Sequence, residues 1–375
     1  MDPALQLLKQ LIAVDSVNPS LVPGAAGEAA IARTIAEAMS GIGLTVEVQQ
    51  AAPGRPNVVG TLQGRGPGRS LMFCGHIDTV GVAGMSAPFD AVEKAGRIHG
   101  RGSQDMKSGL AAMIDAARVV AESGGLDAGE LVIACVADEE HASIGADALV
   151  TKWRADGAVV TEPTDLQVAI AHKGFEWVEI ETEGRAAHGS RPRDGQDAIR
   201  LMGRVLNGLD ALDRRLQSRT PHPLLGTASL HASLIEGGRE LSSYPDRCHL
   251  QMERRTIPGE APGIAAREVE DLLATLRADD PEFKGVSKGM FARSSYELPS
   301  THELPRSMLR AAKGRAAAVG MSFWTDAAVL GDAGIPSILF GPTGAGLHSV
   351  DEWVDAASVL KCRDALVALA RDWCR

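Results

Sequence analysis

The stretch Leu71-Met72-Phe73-Cys74-Gly75-His76-Ile77-Asp78 is an apolar run that stops on an imidazole and a carboxylate two residues apart. Residues i and i+2 of an extended chain point to one side, so His76 and Asp78 would look into one space. Taken alone, the pattern is equally that of a surface turn after a core strand. Other apolar runs close in the same way. "LVIACVADEE" ends on Asp138, Glu139 and Glu140, "GAVVTEP" ends on Glu162, and "SILFGPTGAGLHSVDEW" carries His348 in a glycine-rich loop after a strand. "GRGSQDMKSGL" puts Asp105 immediately before a helical run. In open α/β sheets, ligands bind outside the carboxyl ends of the strands. One polar strand end is ordinary; four such ends converging with Asp105 from a loop point to a metal site. Two histidines and three carboxylates suit zinc, with cobalt or manganese as substitutes. Five protein ligands exceed the needs of one catalytic zinc, and they suffice for two ions if one carboxylate bridges.

Each residue also has a plainer reading. Glu139-Glu140 reads as a solvated acidic turn, Asp105 as a helix N-cap, and His348 as a surface residue of its loop. Asp351 and Glu352 either support the site or are solvated. His99, His141, His172, His222, His231, His249 and His302 read as surface or packing residues.

The elements that must position these groups follow from periodicity. "LTVEVQQ", "NVVGTLQG", "SLMFCGH", "ELVIACVADEE" and "GAVVTEP" read as strands, and "EAAIARTIAEAMSGIG", "MKSGLAAMIDAARVVAES" and "GADALVTKW" as helices. Alternating strands and helices predict an α/β layer structure with a largely parallel sheet. The pattern changes near Lys173. "GFEWVEIETEG" carries acidic residues through a strand, as in a sheet with one wet face. Two helices and about four strands then form an α+β, ferredoxin-like unit inserted into the larger domain. The first pattern returns with a helix over "SMLRAAKGRAAAVG", a strand "PSILFGP" and a closing helix. The expected division is residues 1–173 and 295–375 for the catalytic domain and 174–294 for the insertion.

Bulk properties narrow the function. The chain has 375 residues and a net charge of −10, which argues against binding a phosphate backbone. No apolar stretch approaches the length of a membrane span. The amphipathic start, "MDPALQLLKQLIAVDS", lacks the basic start and cleavage site of a signal peptide. Five scattered cysteines without a CxxC pair imply reduced thiols and a cytoplasmic location.

"HIDTV", "GRGSQDMKSG", "ADEEHASIG", "VVTEPTD", "AAHGSRP" and "GPTGAGLHSVDEW" occur in an order and spacing that resemble one family, over essentially the whole chain. It is that of the co-catalytic di-zinc metallopeptidases, which includes aminoacylase-1, carboxypeptidase G, acetylornithine deacetylase and succinyl-diaminopimelate desuccinylase. The resemblance implies two Zn²⁺ per subunit, with His76 and Glu162 on one ion, His348 and Glu140 on the other, and Asp105 as the bridge. Asp78 would hydrogen-bond His76 and orient its ring, and Glu139 would be the general base. In the insertion, which would act as a lid and dimerisation domain, His188 matches a histidine that serves the neighbouring subunit's site by stabilising the tetrahedral oxyanion. Arg255 matches an arginine that binds the substrate carboxylate, with Arg254 as the competing neighbour, and Gly344 falls in the substrate-binding loop. Ser243 stands where several relatives have asparagine, and Ser108 where glycine is commoner. The implied activity is hydrolysis of an amide beside a free carboxylate, as in deacylation of an N-acyl amino acid. A carboxypeptidase or dipeptidase acting on small peptides or aryl amides is the alternative within enzymes. A metal- or ligand-binding protein without catalysis on the same fold is the rival from another class. The implied partners are a small carboxylate-bearing substrate and a second copy of the chain.

Overall fold

A computed structural model describes residues 1–314 and 316–375. The chain divides into two compact units: Met1–Ile170 with Leu298–Gly320 and Thr325–Arg375, and Ala171–Glu297 with Met321–Trp324.

The first unit is built on a mixed sheet. Its order is Thr45–Ala52, Arg55–Gln63, Glu130–Val136, Ser70–His76, Ala158–Val160, Ser337–Leu339 and Val168–His172. The four middle members, from Glu130–Val136 to Ser337–Leu339, run parallel. The flanking pairs are antiparallel. One reason lies at Pro53-Gly54: Gly54 takes φ 77°, and the chain folds back as a hairpin instead of crossing over. The parallel strands are buried on both faces, as their unbroken Val/Ile/Leu runs require. Helices Lys107–Glu122 and Ala356–Trp373 pack on each other and on Ser70–His76, while Ala29–Gly41 and Ile144–Lys152 lie against Arg55–Gln63.

The register has a direct functional consequence. His76 pairs with Val136, Cys74 with Val160, and Val160 with Leu339. The carboxyl ends of four parallel strands therefore lie side by side, and the segments that carry His76, Glu140 and Glu162 leave directly from that edge.

The second unit runs strand, helix, strand, strand, helix, strand. Its antiparallel sheet has the order Ser229–Gly237, Arg247–Thr256, Gly174–Glu183, Gly285–Arg293. Helices Ala198–Gln217 and Ile264–Asp279 cover one face. Val178, Ile180, Leu250 and Met252 from the sheet pack there with Val205, Leu209, Val269 and Leu273 from the helices. Burial alternates strictly along Arg247–Thr256, so the other face stays open.

One expectation needs correction, and one sheet has no counterpart in the sequence reading. The helix read over "SMLRAAKGRAAAVG" is Glu303–Ala311, and Ala318–Met321 is a strand. Lys313 and Gly314 adopt φ of 54° and 70°, which a right-handed helix does not accommodate; position 315, also inside that reading, lies outside the described residues. A separate four-stranded sheet, Gly344–Ala345, Trp353–Asp355, Arg97–His99 and Val92–Lys94, has strands of two or three residues. Such strands are too short to leave a period in the sequence.

Candidate metal centre

His76 ends its strand with its side chain 1% exposed. Its Nε2 lies 3.0 Å from Asp105 Oδ1, 3.7 Å from Glu162 Oε1 and 3.9 Å from Glu139 Oε2. His348 Nε2 lies 3.0 Å from Glu140 Oε2 and 3.4 Å from Asp105 Oδ2. Asp105 thus turns a different oxygen to each imidazole. His76, Asp105 and Glu162 form one group of convergent ligand atoms, and Asp105, Glu140 and His348 form another.

Three local devices produce this arrangement. First, Glu130–Val136 ends, and Asp138 takes a left-handed φ of 69° that swings Glu139 and Glu140 over Asp78. The Asp78 carboxylate accepts from Glu139 N at 3.1 Å, Glu140 N at 3.2 Å and Asn18 Nδ2 at 2.8 Å. Asn18 Nδ2 also donates to Asp138 at 2.9 Å, and Arg55 joins Asp138 to the buried Glu28. Second, the loop before Lys107–Glu122 wraps the carboxylate of Glu352. Gly102 N, Gln104 N and Asp105 N donate to it at 3.0, 2.8 and 3.1 Å, and Arg101 donates at 2.6 Å. Third, a Cβ at Gly109 would stand 2.1 Å from Thr161 O. Only glycine lets this helix approach the strand end that carries Glu162.

The sequence reading is refined at several points. Asp78 orients His76 through its backbone carbonyl, 3.0 Å from Nδ1, whereas its carboxylate stays 3.6 Å away and holds the Glu139–Glu140 peptides instead. The chain has left the strand after His76, so the expected side-chain bond is not made. Asp105 does not cap the helix: the cap position is Met106, without a side-chain bond. Glu352 is a buried strut of the site and not a solvated residue. Ser108 is buried, with Oγ 3.4 Å from Gln104 O. Gly344 is tied into the small sheet, where a Cβ would meet Trp353 O at 2.4 Å. Sequence reasoning misses Asn18, Arg55 and Glu28: each lies far from any motif, and only "VNPS" before a helix marks Asn18 as a turn residue.

The electrostatics fit cations. Burial holds the Glu139 and Glu162 carboxyls well above the usual glutamate range, against the pull of His76. Burial works against protonation of His76, but Asp105 and Asp78 overcome it and raise its pKa well above the usual value. Hydrogen bonds to Asp105 and Glu140 raise His348 to about 10. Both imidazoles are thus drawn toward positive charge by the carboxylates around them, a setting that suits cations. Glu140 Oε1 is buried and makes no hydrogen bond. An acceptor in that condition suits a ligand atom. His76 Nδ1 is engaged by a carbonyl, which leaves the Nε2 lone pair directed at the carboxylates in the neutral tautomer.

In the second unit the two arginines part company. Arg254 is fully buried on the helix side, paired with Glu260 at 2.6 Å and Glu268 at 2.8 Å. Arg255 faces the open side. His188 and Ser243, 55 positions apart, meet as a β-bridge. His188 Nδ1 accepts from Ser190 N at 3.2 Å, with Ser190 Oγ at 2.8 Å, so the neutral ring carries its proton on Nε2. Ser243 Oγ donates to Glu240 at 2.5 Å.

Comparison with known proteins defines the class. Residues 72–372 match the model of Peptidase family M20/M25/M40, and the chain belongs to that family. It is 30% identical over 384 residues to acetylornithine deacetylase of Proteus mirabilis, covering 99% of this chain and 96% of that protein. It is 27% identical to N-formyl-4-amino-5-aminomethyl-2-methylpyrimidine deformylase of Bacillus subtilis, covering 99% and 94%. A tripeptidase structure from Staphylococcus aureus superposes with a TM-score of 0.83 at 19% identity, covering 100% and 98%, which establishes the shared fold. The protein is a metal-dependent amidohydrolase of this family.

Proposed function

We propose that the protein deacylates an N-acyl amino acid. The observation that carries this reading is the position of Asp105 between His76 and His348, with Glu139 beside it. His76, Asp105 and Glu162 would hold one ion and Asp105, Glu140 and His348 a second; zinc fits this donor set, with cobalt or manganese as substitutes. Ions held there would polarise an amide carbonyl and make water a stronger acid. Glu139 takes the proton of the attacking water on its carboxylate and delivers it to the leaving nitrogen. Asp78 fixes the peptide that carries Glu139. His188 donates its Nε2 proton to the oxyanion, and Arg255 receives the substrate carboxylate. Gly344 and Ser243 serve as further substrate contacts, the latter as an acceptor because its proton goes to Glu240.

The second unit is the lid and the dimerisation surface in this reading. Ser229–Gly237 is an edge strand, and its Leu234 and Ile235 are 66% and 55% exposed. An exposed apolar edge is a template for pairing with another strand, here that of a second copy, whose lid would bring His188 to the neighbouring site. The five buried, unpaired cysteines accord with a cytoplasmic setting. The test is turnover of N-acetyl amino acids and dipeptides by zinc-loaded protein. The reading expects release of free amino acid from the N-acetyl compounds. Cleavage confined to peptides would replace it with the carboxypeptidase or dipeptidase reading.

A further inference from the structure

The open face of the second unit's sheet carries two cross-strand rows. Arg255 lies opposite Phe175, and Glu253 lies opposite Trp177, which in turn lies opposite Phe291. The three rings form a triangle, with centroids 5.2 Å apart for Phe175–Trp177, 5.7 Å for Trp177–Phe291 and 5.9 Å for Phe175–Phe291. Phe175 is nearly covered, whereas Trp177 and Phe291 are half-buried and offer ring surface. One carboxylate organises both rows. Glu253 Oε2 accepts from Trp177 Nε1 at 2.9 Å, and Glu253 Oε1 lies 2.7 Å from Arg255 Nε. Glu253 therefore sets the indole and holds the inner edge of the guanidinium. Among the described residues, the two terminal nitrogens of Arg255 have no hydrogen-bond partner, and the guanidinium carbon stands 5.5 Å from the Phe175 centroid. A fork held by its Nε edge, with its outer edge open, is prepared for a carboxylate.

We propose that Arg255, Glu253, Trp177, Phe175 and Phe291 form one specificity subsite, which takes an α-carboxylate on the Arg255 fork and an uncharged, aromatic side chain on the adjoining rings. This rests on the deacylase reading and deepens it. Aromatic rings alone would also welcome a cation, but two already stand over these: the Arg293 guanidinium carbon lies 5.3 Å from the Phe291 centroid and that of Arg255 5.5 Å from the Phe175 centroid. Lys173 Nζ donates to Thr227 O at 2.7 Å in the same unit. Burial and the nearby charge of Arg255 hold its ammonium below the usual lysine value. A side chain such as ornithine's would add a further positive charge to this group, whereas a phenyl ring adds apolar contact at no electrostatic cost. The subsite therefore selects against the substrate type in the name of the Proteus mirabilis relative.

The test uses the zinc-loaded full chain with N-acetylphenylalanine and N-acetylornithine. The kcat/KM ratio should favour the phenyl compound by at least roughly tenfold. It should fall toward one in Phe291→Ala and Trp177→Leu, chiefly through a higher KM for N-acetylphenylalanine. Glu253→Gln, which keeps the shape and drops the charge that steadies Arg255, should raise KM for both substrates. Equal or better use of N-acetylornithine, or a ratio untouched by the ring variants, would overturn the subsite. If no N-acyl amino acid is turned over, the deacylase reading fails on its own. Calorimetric binding of the same two compounds to wild type and Phe291→Ala then decides the subsite. Tighter binding of the phenyl compound, lost in the variant, supports it. Equal binding refutes it.

Discussion

The candidate metal centre of the first unit and the open sheet face of the second handle charge in opposite ways. At the centre the orienting carboxylates and Asn18 are buried and bonded. Asp78 holds two peptides and Asn18, Glu352 holds three peptides and Arg101, and Arg55 ties Asp138 to Glu28. On the open face Arg255 is held at one edge and left open at the other, and His188 stands on an exposed loop. The contrast separates two tasks. Groups that perform a reaction are fixed before the substrate arrives, so that no reorganisation is needed when charge develops. Groups that recognise a substrate keep donors to be completed by it.

Of the substitutions that separate the two regions, Glu139→Gln should act most strongly. It should lower kcat by roughly 10²- to 10⁴-fold while metal content stays intact, because the role proposed for Glu139 is that of a base and not of a ligand. Steady-state kinetics with metal analysis checks this, and near-normal turnover would remove the assignment. Next come the adjacent arginines. Arg254→Ala leaves Glu260 and Glu268 without their buried partner and should cost roughly 3–5 kcal/mol of stability. Arg255→Ala should leave stability nearly unchanged and raise KM. Denaturant unfolding beside kinetics separates the two, and equal effects on stability would erase the distinction between the faces.

A smaller effect concerns pH. His172 is fully buried; its Nδ1 bonds the Lys173 carbonyl, and burial lowers its pKa to about 4. Its folded value lies below the ordinary one near 6.5, so the unfolded chain binds the extra proton between those pH values. Stability should therefore decline as pH falls from about 6.5 to about 4, by up to about 3 kcal/mol from this group. His172→Phe should show a shallower decline over that window in denaturant melts. A slope identical to wild type would mean that His172 does not titrate this way. Smaller still, Ser190→Ala removes the Oγ contact to His188 Nδ1 but keeps the Ser190 N–H donor, so kcat should fall by no more than about twofold, with KM and thermal stability near wild type. A change confined to KM would argue against a role for Ser190 in setting the His188 proton.

The two regions also differ in how far the sequence reveals them. His76, Asp105, Glu140, Glu162 and His348 stand out because each follows an apolar run or opens a helix, and parallel register then brings the strand ends together. Asn18, Arg55 and Glu28 do not stand out, because their work is a network of bonds between residues 27 to 120 positions apart, which no local pattern encodes. The choice between Arg254 and Arg255 is decided by strand alternation together with the face the helices cover. The sequence carries the alternation, and packing supplies the face. The early end of the Glu303–Ala311 helix depends on the left-handed backbone of Lys313 and Gly314, and a lysine there carries no sign of it.

The sharing of Asp105 between two ions is the central claim, and calorimetric titration of metal-free protein with Zn²⁺, checked by elemental analysis, tests it directly. Two ions per chain should bind in wild type, and both should be weakened together in Asp105→Ala, because each imidazole faces one of its oxygens. A single ion per chain in wild type, or two ions bound at undiminished affinity by Asp105→Ala, would contradict the account.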